Sequence, residues 1–246
     1  MKPKRIELLG VPADCVNMDQ ALEAVDNMIN GNRAETVIAV NPEKIIKAQN
    51  DPALLDFLQR AGLLIPDGIG VILASRMLGL GVMERVPGSE LMPAICERAP
   101  KSGYKLFLFG ASPEVNQKTV EVLRERYPGI QIVGNQHGYI DDEDMPQLVQ
   151  RINDSQAQLL LIALGSPKQE LWMDKYLPQL NVKVCQGVGG TFDVIAGRVK
   201  RAPLLFRKAH LEWFYRLASQ PKRLLRQTAL PKFVFQVLLK RLNLVN

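Results

Sequence analysis

Between residues 36 and 186, short runs of β-branched and leucine side chains alternate with longer stretches of helical periodicity. That alternation narrows the folds open to this chain more than any other property it has. Candidate strands occupy residues 36–40, 63–65, 105–109, 130–133, 158–164 and 183–186. Helical patterns lie between them at 42–50, 52–61, 69–78, 89–99, 113–127, 142–155 and 167–176. Strand followed by helix, repeated, predicts an α/β fold: a Rossmann-like, mostly parallel sheet with helices on both faces. Residues 5–11 read as a small edge strand ahead of a helix over 18–30. With 246 residues and 47% hydrophobic content, the chain can bury one large core and carry an extension.

One junction recurs. Asn41-Pro42, Ser112-Pro113 and Ser166-Pro167 each follow a strand and open a helix, pairing an N-cap side chain with proline at the first helical position. In a parallel α/β sheet such turns gather at the carboxyl ends of the strands, where ligands bind. Helix N-termini there also suit an anion such as phosphate, although each junction alone is also simply good capping. Asn41 and Ser166 are therefore candidate binding residues. Asp67 follows the 63–65 run on a Pro66-Asp67-Gly68 turn, where a carboxylate could act as general base on a hydroxyl or merely form the turn.

Ser166 and Gln169 have the spacing of a capping box, with Lys168 adding a cation beside the anion site. Residues 187–193, Gly-Val-Gly-Gly-Thr-Phe-Asp, follow the last strand. Gly189, Gly190 and Asp193 are candidates there, although the loop lacks the dinucleotide fingerprint. Arg85 opens Arg-Val-Pro-Gly-Ser-Glu and could clamp a phosphate with its guanidinium fork. The acidic run 141–144 reads as a helix start rather than a metal site, and no metal or other cofactor is expected. Three scattered cysteines without CxxC spacing and two histidines suit a reducing cytoplasm. The opening residues lack a signal-peptide h-region, and no run is long and apolar enough to span a bilayer.

The charge is unevenly placed. Of 31 basic and 25 acidic residues, twelve basic and one acidic (Glu212) fall in residues 198–246. The first 197 residues thus carry −5 and the remainder +11. The expected organisation is an α/β catalytic domain over 1–197 and a basic, amphipathic helical appendage over 198–246. Helical pieces are expected with breaks at Gln220-Pro221 and Leu230-Pro231. The last piece is apolar nearly all round, so Phe233, Phe235, Leu238, Lys240 and Arg241 are expected to grip an anionic membrane surface. A nucleic-acid arm would want a recognition motif, and none is present.

Taken in order, several segments resemble the WecG/TagA/CpsF family of bacterial glycosyltransferases. They are residues 40–44 (Val-Asn-Pro-Glu-Lys), 66–68 (Pro-Asp-Gly), 85–91, 106–110, 165–170, 187–203, 212–217 and 220–223. The resemblance runs over nearly the whole chain. It implies an inverting, metal-independent transfer of N-acetylmannosamine or its uronic acid from UDP to N-acetylglucosamine on polyprenyl diphosphate, at the inner membrane face. Such steps serve wall teichoic acid linkage units and enterobacterial common antigen, and relatives build other exopolysaccharides from other sugars. On the family pattern Asp67 matches the general base, Arg85 and Gln169 match active-site residues, and Arg216, Arg223 and Arg226 match arginines that embrace a diphosphate. Ala39 stands where some members have threonine, which bears on donor and acceptor identity. The implied placement is cytoplasmic and peripheral, with a homo-oligomer as a further expectation off the membrane. Two other readings stay open: the same fold acting on another UDP-sugar, and a non-enzymatic nucleotide-sugar-binding protein at the membrane surface.

Overall fold

A computed structural model describes residues 3–200, 203, 206 and 228–242. Its centre is a six-stranded sheet built from β3 (Glu35–Val40), β4 (Leu63–Pro66), β5 (Lys105–Gly110), β6 (Gln131–Gln136), β7 (Leu159–Ala163) and β8 (Val184–Gly187). The strand order is β4-β3-β8-β7-β5-β6, and every neighbouring pair is parallel. The fold is a Rossmann-like α/β architecture. Alternate side chains of each central strand enter opposite cores, as in Leu160 and Ile162 on one face and Leu159 and Leu161 on the other. Strands buried on both faces must be apolar throughout, which is why β7 reads Leu-Leu-Leu-Ile-Ala.

Helices α2 (Pro42–Ala48), α3 (Pro52–Arg60), α4 (Ile69–Met77), α7 (Met145–Asp154) and α8 (Lys168–Tyr176) cover the first face. Helices α1 (Met18–Ile29), α5 (Gly88–Ser102), α6 (Pro113–Arg126) and α9 (Thr191–Ile195) cover the second. Proline at the first turn opens α2, α3 and α6, with Asn41, Asp51 and Ser112 capping.

Four expectations need correction. Residues 5–11 are not one edge strand but part of a hairpin, β1 (Lys4–Leu8) with β2 (Val11–Cys15), that forms its own two-stranded sheet. The turn takes Leu9 and Gly10 to φ 54° and 81°, the left-handed pair that matches the twist of a two-residue hairpin. Buried Asp14 on β2 accepts from the Leu64 amide at 2.7 Å and from the Arg5 guanidinium at 2.8 and 2.9 Å, fastening the hairpin to β4. Second, Ser166 does not cap α8: the Ser166–Pro167 bond is cis, and the helix begins one residue later at Lys168.

The third and fourth corrections concern the last described helix, α10 (Ala229–Arg241). Pro231 does not interrupt it but lies in its first turn, where a missing N–H is harmless. Phe233, expected at a membrane, is 2% exposed, and with Val237 it enters the core between α2 and α4. Spacing of four residues puts those two side chains on one stripe, so a helix apolar all round still has a protein face. Phe233→Ala should therefore destabilise the folded chain by about 3 kcal/mol, the usual cost of emptying a buried aromatic site. Urea unfolding measures it; a change below about 0.5 kcal/mol would mean that α10 is not docked.

Candidate functional site

Crossover directions locate the cleft. The β5–α6–β6 crossover packs on one face and runs toward one edge of the sheet. The β7–α8–β8 crossover packs on the other face and runs toward the other edge. Adjacent parallel strands that diverge in this way open a crevice at their carboxyl ends. The crevice here is a cavity of 480 Å³, with Ser112 from the β5–α6 turn, Leu164 and Lys168 from the β7–α8 turn, and Gly190, Asp193 and Arg198 among its lining. The N-termini of α6 and α8 both open there, so the positive ends of two helix dipoles and two cationic side chains converge on one volume. Arg198 also donates to the Ser112 hydroxyl at 3.4 Å. At the rim, Glu114 is held below the usual carboxylate range by its own backbone N–H, then by the Ser112 hydroxyl.

Gln169 is buried and faces the glycine loop rather than capping its helix. Its Oε1 accepts from the Gly189 amide at 3.1 Å, and its Nε2 donates to Glu170 Oε1 at 3.2 Å. The capping-box spacing was therefore misleading: Gln169 serves a contact between β-strand exits instead. Gly189 and Gly190 are the turn into α9, and Asp193 lines the cavity from that helix.

The other candidates sit toward the far edge of the sheet. Asp67 is half-buried at the end of β4, its backbone N–H bonded to Val40 O at 2.8 Å. Asn41 follows β3, and its side-chain oxygen accepts from the Lys44 amide at 2.8 Å. Arg85 approaches Glu90 at 3.4 Å and is only 18% exposed. The Val86 amide bonds to Pro66 O at 2.8 Å and holds the Arg85 segment beside the Asp67 turn. From β4 to β7 is three strand spacings, about 14 Å at ~4.8 Å each. The structure thus gathers Asp67, Asn41 and Arg85 at one end of a groove, and Gln169, Gly189, Gly190 and Asp193 at the other. Ser166 lies in the turn between β7 and α8. Arg216, Arg223 and Arg226, and the break at Gln220-Pro221, fall outside the described residues.

Sequence reasoning missed Arg198 as a cleft residue, and it missed a buried ion pair between Lys44 and Glu170. Lys44, the third residue of α2 on an otherwise apolar buried face, was the available signal. Cysteine chemistry is unfavourable at neutral pH: burial pushes the Cys96 thiol up to about 12 and raises Cys185 further still. Among the described residues, no three His, Cys, Asp or Glu side chains cluster closely enough to hold a metal ion. No helix among them is long and apolar enough to cross a membrane.

Comparison with known proteins gives a consistent answer. Residues 6–246 match the model of the "Glycosyl transferase WecG/TagA/CpsF family". An N-acetylglucosaminyldiphosphoundecaprenol N-acetyl-beta-D-mannosaminyltransferase of Bacillus spizizenii (strain ATCC 23059 / NRRL B-14472 / W23) is 35% identical over 210 residues, covering 85% of this chain and 81% of its own. A protein of the same name from Staphylococcus aureus (strain MRSA252) is 35% identical over 235 residues, covering 95% and 92%.

Proposed function

This chain belongs to the WecG/TagA/CpsF family of glycosyltransferases, and we propose that it moves an N-acetylmannosamine-type sugar, ManNAc or ManNAcA, from UDP to N-acetylglucosamine on a polyprenyl diphosphate. Its place is then cell-surface polysaccharide synthesis. The observation that carries the reading is the groove itself: a cavity lined by Lys168 and Arg198 at the β5/β7 crevice, with a carboxylate about 14 Å along the same end of the sheet. A nucleotide diphosphate in the cavity would direct its sugar toward Asp67. Relatives that share about a third of the sequence are named for transfer to N-acetylglucosaminyldiphosphoundecaprenol.

In this mechanism Asp67 takes the proton from the acceptor hydroxyl. The hydroxyl oxygen attacks the anomeric carbon from the face opposite UDP, and the sugar–phosphate C–O bond breaks with its electron pair leaving on UDP. Configuration inverts because a single displacement occurs. Charge that develops on the leaving diphosphate meets Lys168, Arg198 and the positive ends of the α6 and α8 dipoles, already in place before reaction. We propose that these groups and the tail arginines do this without a metal ion. Arg85 and Asn41 border the acceptor end.

The membrane reading moves to a narrower surface. Phe235 and Leu238 on α10 are 62% and 45% exposed, on the side away from buried Phe233, with Lys240 and Arg241 following. That face suits the headgroup region of an anionic bilayer, where the polyprenyl acceptor resides. The double variant Phe235→Ser, Leu238→Ser should lower vesicle affinity about tenfold or more while melting as the parent does, because both side chains already face solvent. Cosedimentation with anionic liposomes measures it, and unchanged partitioning removes α10 from the membrane face.

UDP release from a panel of UDP-sugars, with and without a lipid-linked N-acetylglucosamine acceptor, tests the function. Acceptor-dependent release from UDP-ManNAc or UDP-ManNAcA, with EDTA without effect, is the expected result. Release from a different UDP-sugar only would move the chain to an exopolysaccharide role within the family. Vesicle and UDP binding without turnover under every combination would leave a binding protein.

A further inference from the structure

We infer that the buried Lys44–Glu170 pair is a positioning strut that fixes the Asp67 end of the groove against its nucleotide end. The inference rests on the reading of both ends as one active site. Lys44 Nζ lies 2.5 Å from Glu170 Oε1, with the two side chains 5% and 1% exposed, and the two residues come from helices on different strand exits. Each partner is tied onward. Lys44 sits on the first turn of α2, and its amide is bonded to the Asn41 side chain at 2.8 Å. That same turn is pressed against the start of α4, directly after Asp67: a Cβ at Gly70 would meet Pro42 Cγ at 2.9 Å.

On the other side, Glu170 Oε1 also accepts from Gln169 Nε2, which orients the amide so that its Oε1 receives the Gly189 N–H. A Cβ at Gly187 would lie 2.5 Å from Gln169 Nε2, so the glycine is what lets this amide reach across. The chain Asn41–Lys44–Glu170–Gln169–Gly189 therefore joins the exit of β3 to the exit of β8 beneath the groove. Glu170 Oε2 has no hydrogen-bond partner among the described residues, so one oxygen carries both contacts. Two buried charges are a costly way to fill space, since apolar residues of similar volume pack as well. What the pair supplies and an apolar pair lacks is a polar link between α2 and α8 together with a fixed acceptor for the Gln169 amide.

Two double variants of the full chain separate these roles. Lys44→Met with Glu170→Leu removes the charges, the link and the acceptor; Lys44→Gln with Glu170→Gln removes the charges but keeps a donor on α2 and an acceptor oxygen on α8. The first should speed amide hydrogen exchange across residues 187–193 and lower kcat about tenfold or more with donor KM little changed, because the reacting groups are held less closely. The second should restore both readouts. In a Gln169→Leu background, the first should cost less than about twofold further, because the strut acts through that amide. Parental exchange and kcat in the first variant, or equal impairment in the second, overturns the inference. Should the first fail to fold, the second must still keep parental kcat while Gln169→Leu loses it. If the parent releases UDP from no donor, the functional reading fails, and the exchange data still decide the strut.

Discussion

Asp67→Asn should leave a protein that melts with the parent and turns over about 10²–10⁴-fold more slowly, the range a positioned general base supplies. The substitution keeps the size of the side chain. It also keeps the two features that place it: the backbone bond to Val40 O and the turn into α4. The negative charge and the ability to take a proton are lost, so the deficit should fall on kcat with donor KM nearly unchanged. A structural aspartate would behave the other way, with a lowered melting point and nearly normal turnover per folded molecule. Steady-state UDP release beside a thermal melt distinguishes them, and near-parental kcat would remove Asp67 from the base role.

Why Asp67 was readable and its surroundings were not is a matter of distance along the chain. A buried strand run, a proline and a glycine all lie within a few residues of Asp67, so local chemistry placed it on a strand exit. The same holds for β5, β7 and α2, whose ends fall within a residue or two of the pattern-based limits. Sheet order is different. Nothing in a run such as β8 says that it pairs with β3 and β7, because register is decided by partners far away in sequence. The Lys44–Glu170 pair joins residues 126 apart: a lysine on an apolar face says that a partner is needed, but nothing local names Glu170.

Two misreadings share another cause. Ser166 and Gln169 matched a capping box, but an amide with a buried carboxylate beside it and a glycine amide in reach has stronger bonds to make. Phe233 was assigned to lipid because a helix apolar all round shows no preferred face. Which stripe turns inward was set by the groove between α2 and α4, not by the helix.

Docking of α10 also changes how the basic tail should be tested. Deleting residues 198–246 would strip Phe233 and Val237 from the core, and lost activity would then report instability as much as chemistry. Charge removal without truncation is the cleaner variant: Arg216→Ala, Arg223→Ala and Arg226→Ala together. The described residues on either side of it include Arg198 on the cavity wall and α10 packed on α2 and α4.

If the arginines meet the departing diphosphate, their combined loss should lower kcat/KM about 10³-fold, since removing a single preorganised donor of this kind typically costs about 10²–10³. If they serve only the lipid surface, each contributes about 1 kcal/mol, and vesicle affinity falls roughly 150-fold while chemistry is untouched. A short-chain, water-soluble lipid-diphosphate acceptor without vesicles decides between the two. The active-site role predicts that the deficit persists there, because the diphosphate remains and the membrane is gone. Recovery of parental kcat/KM with the soluble acceptor would confine all three arginines to membrane attraction.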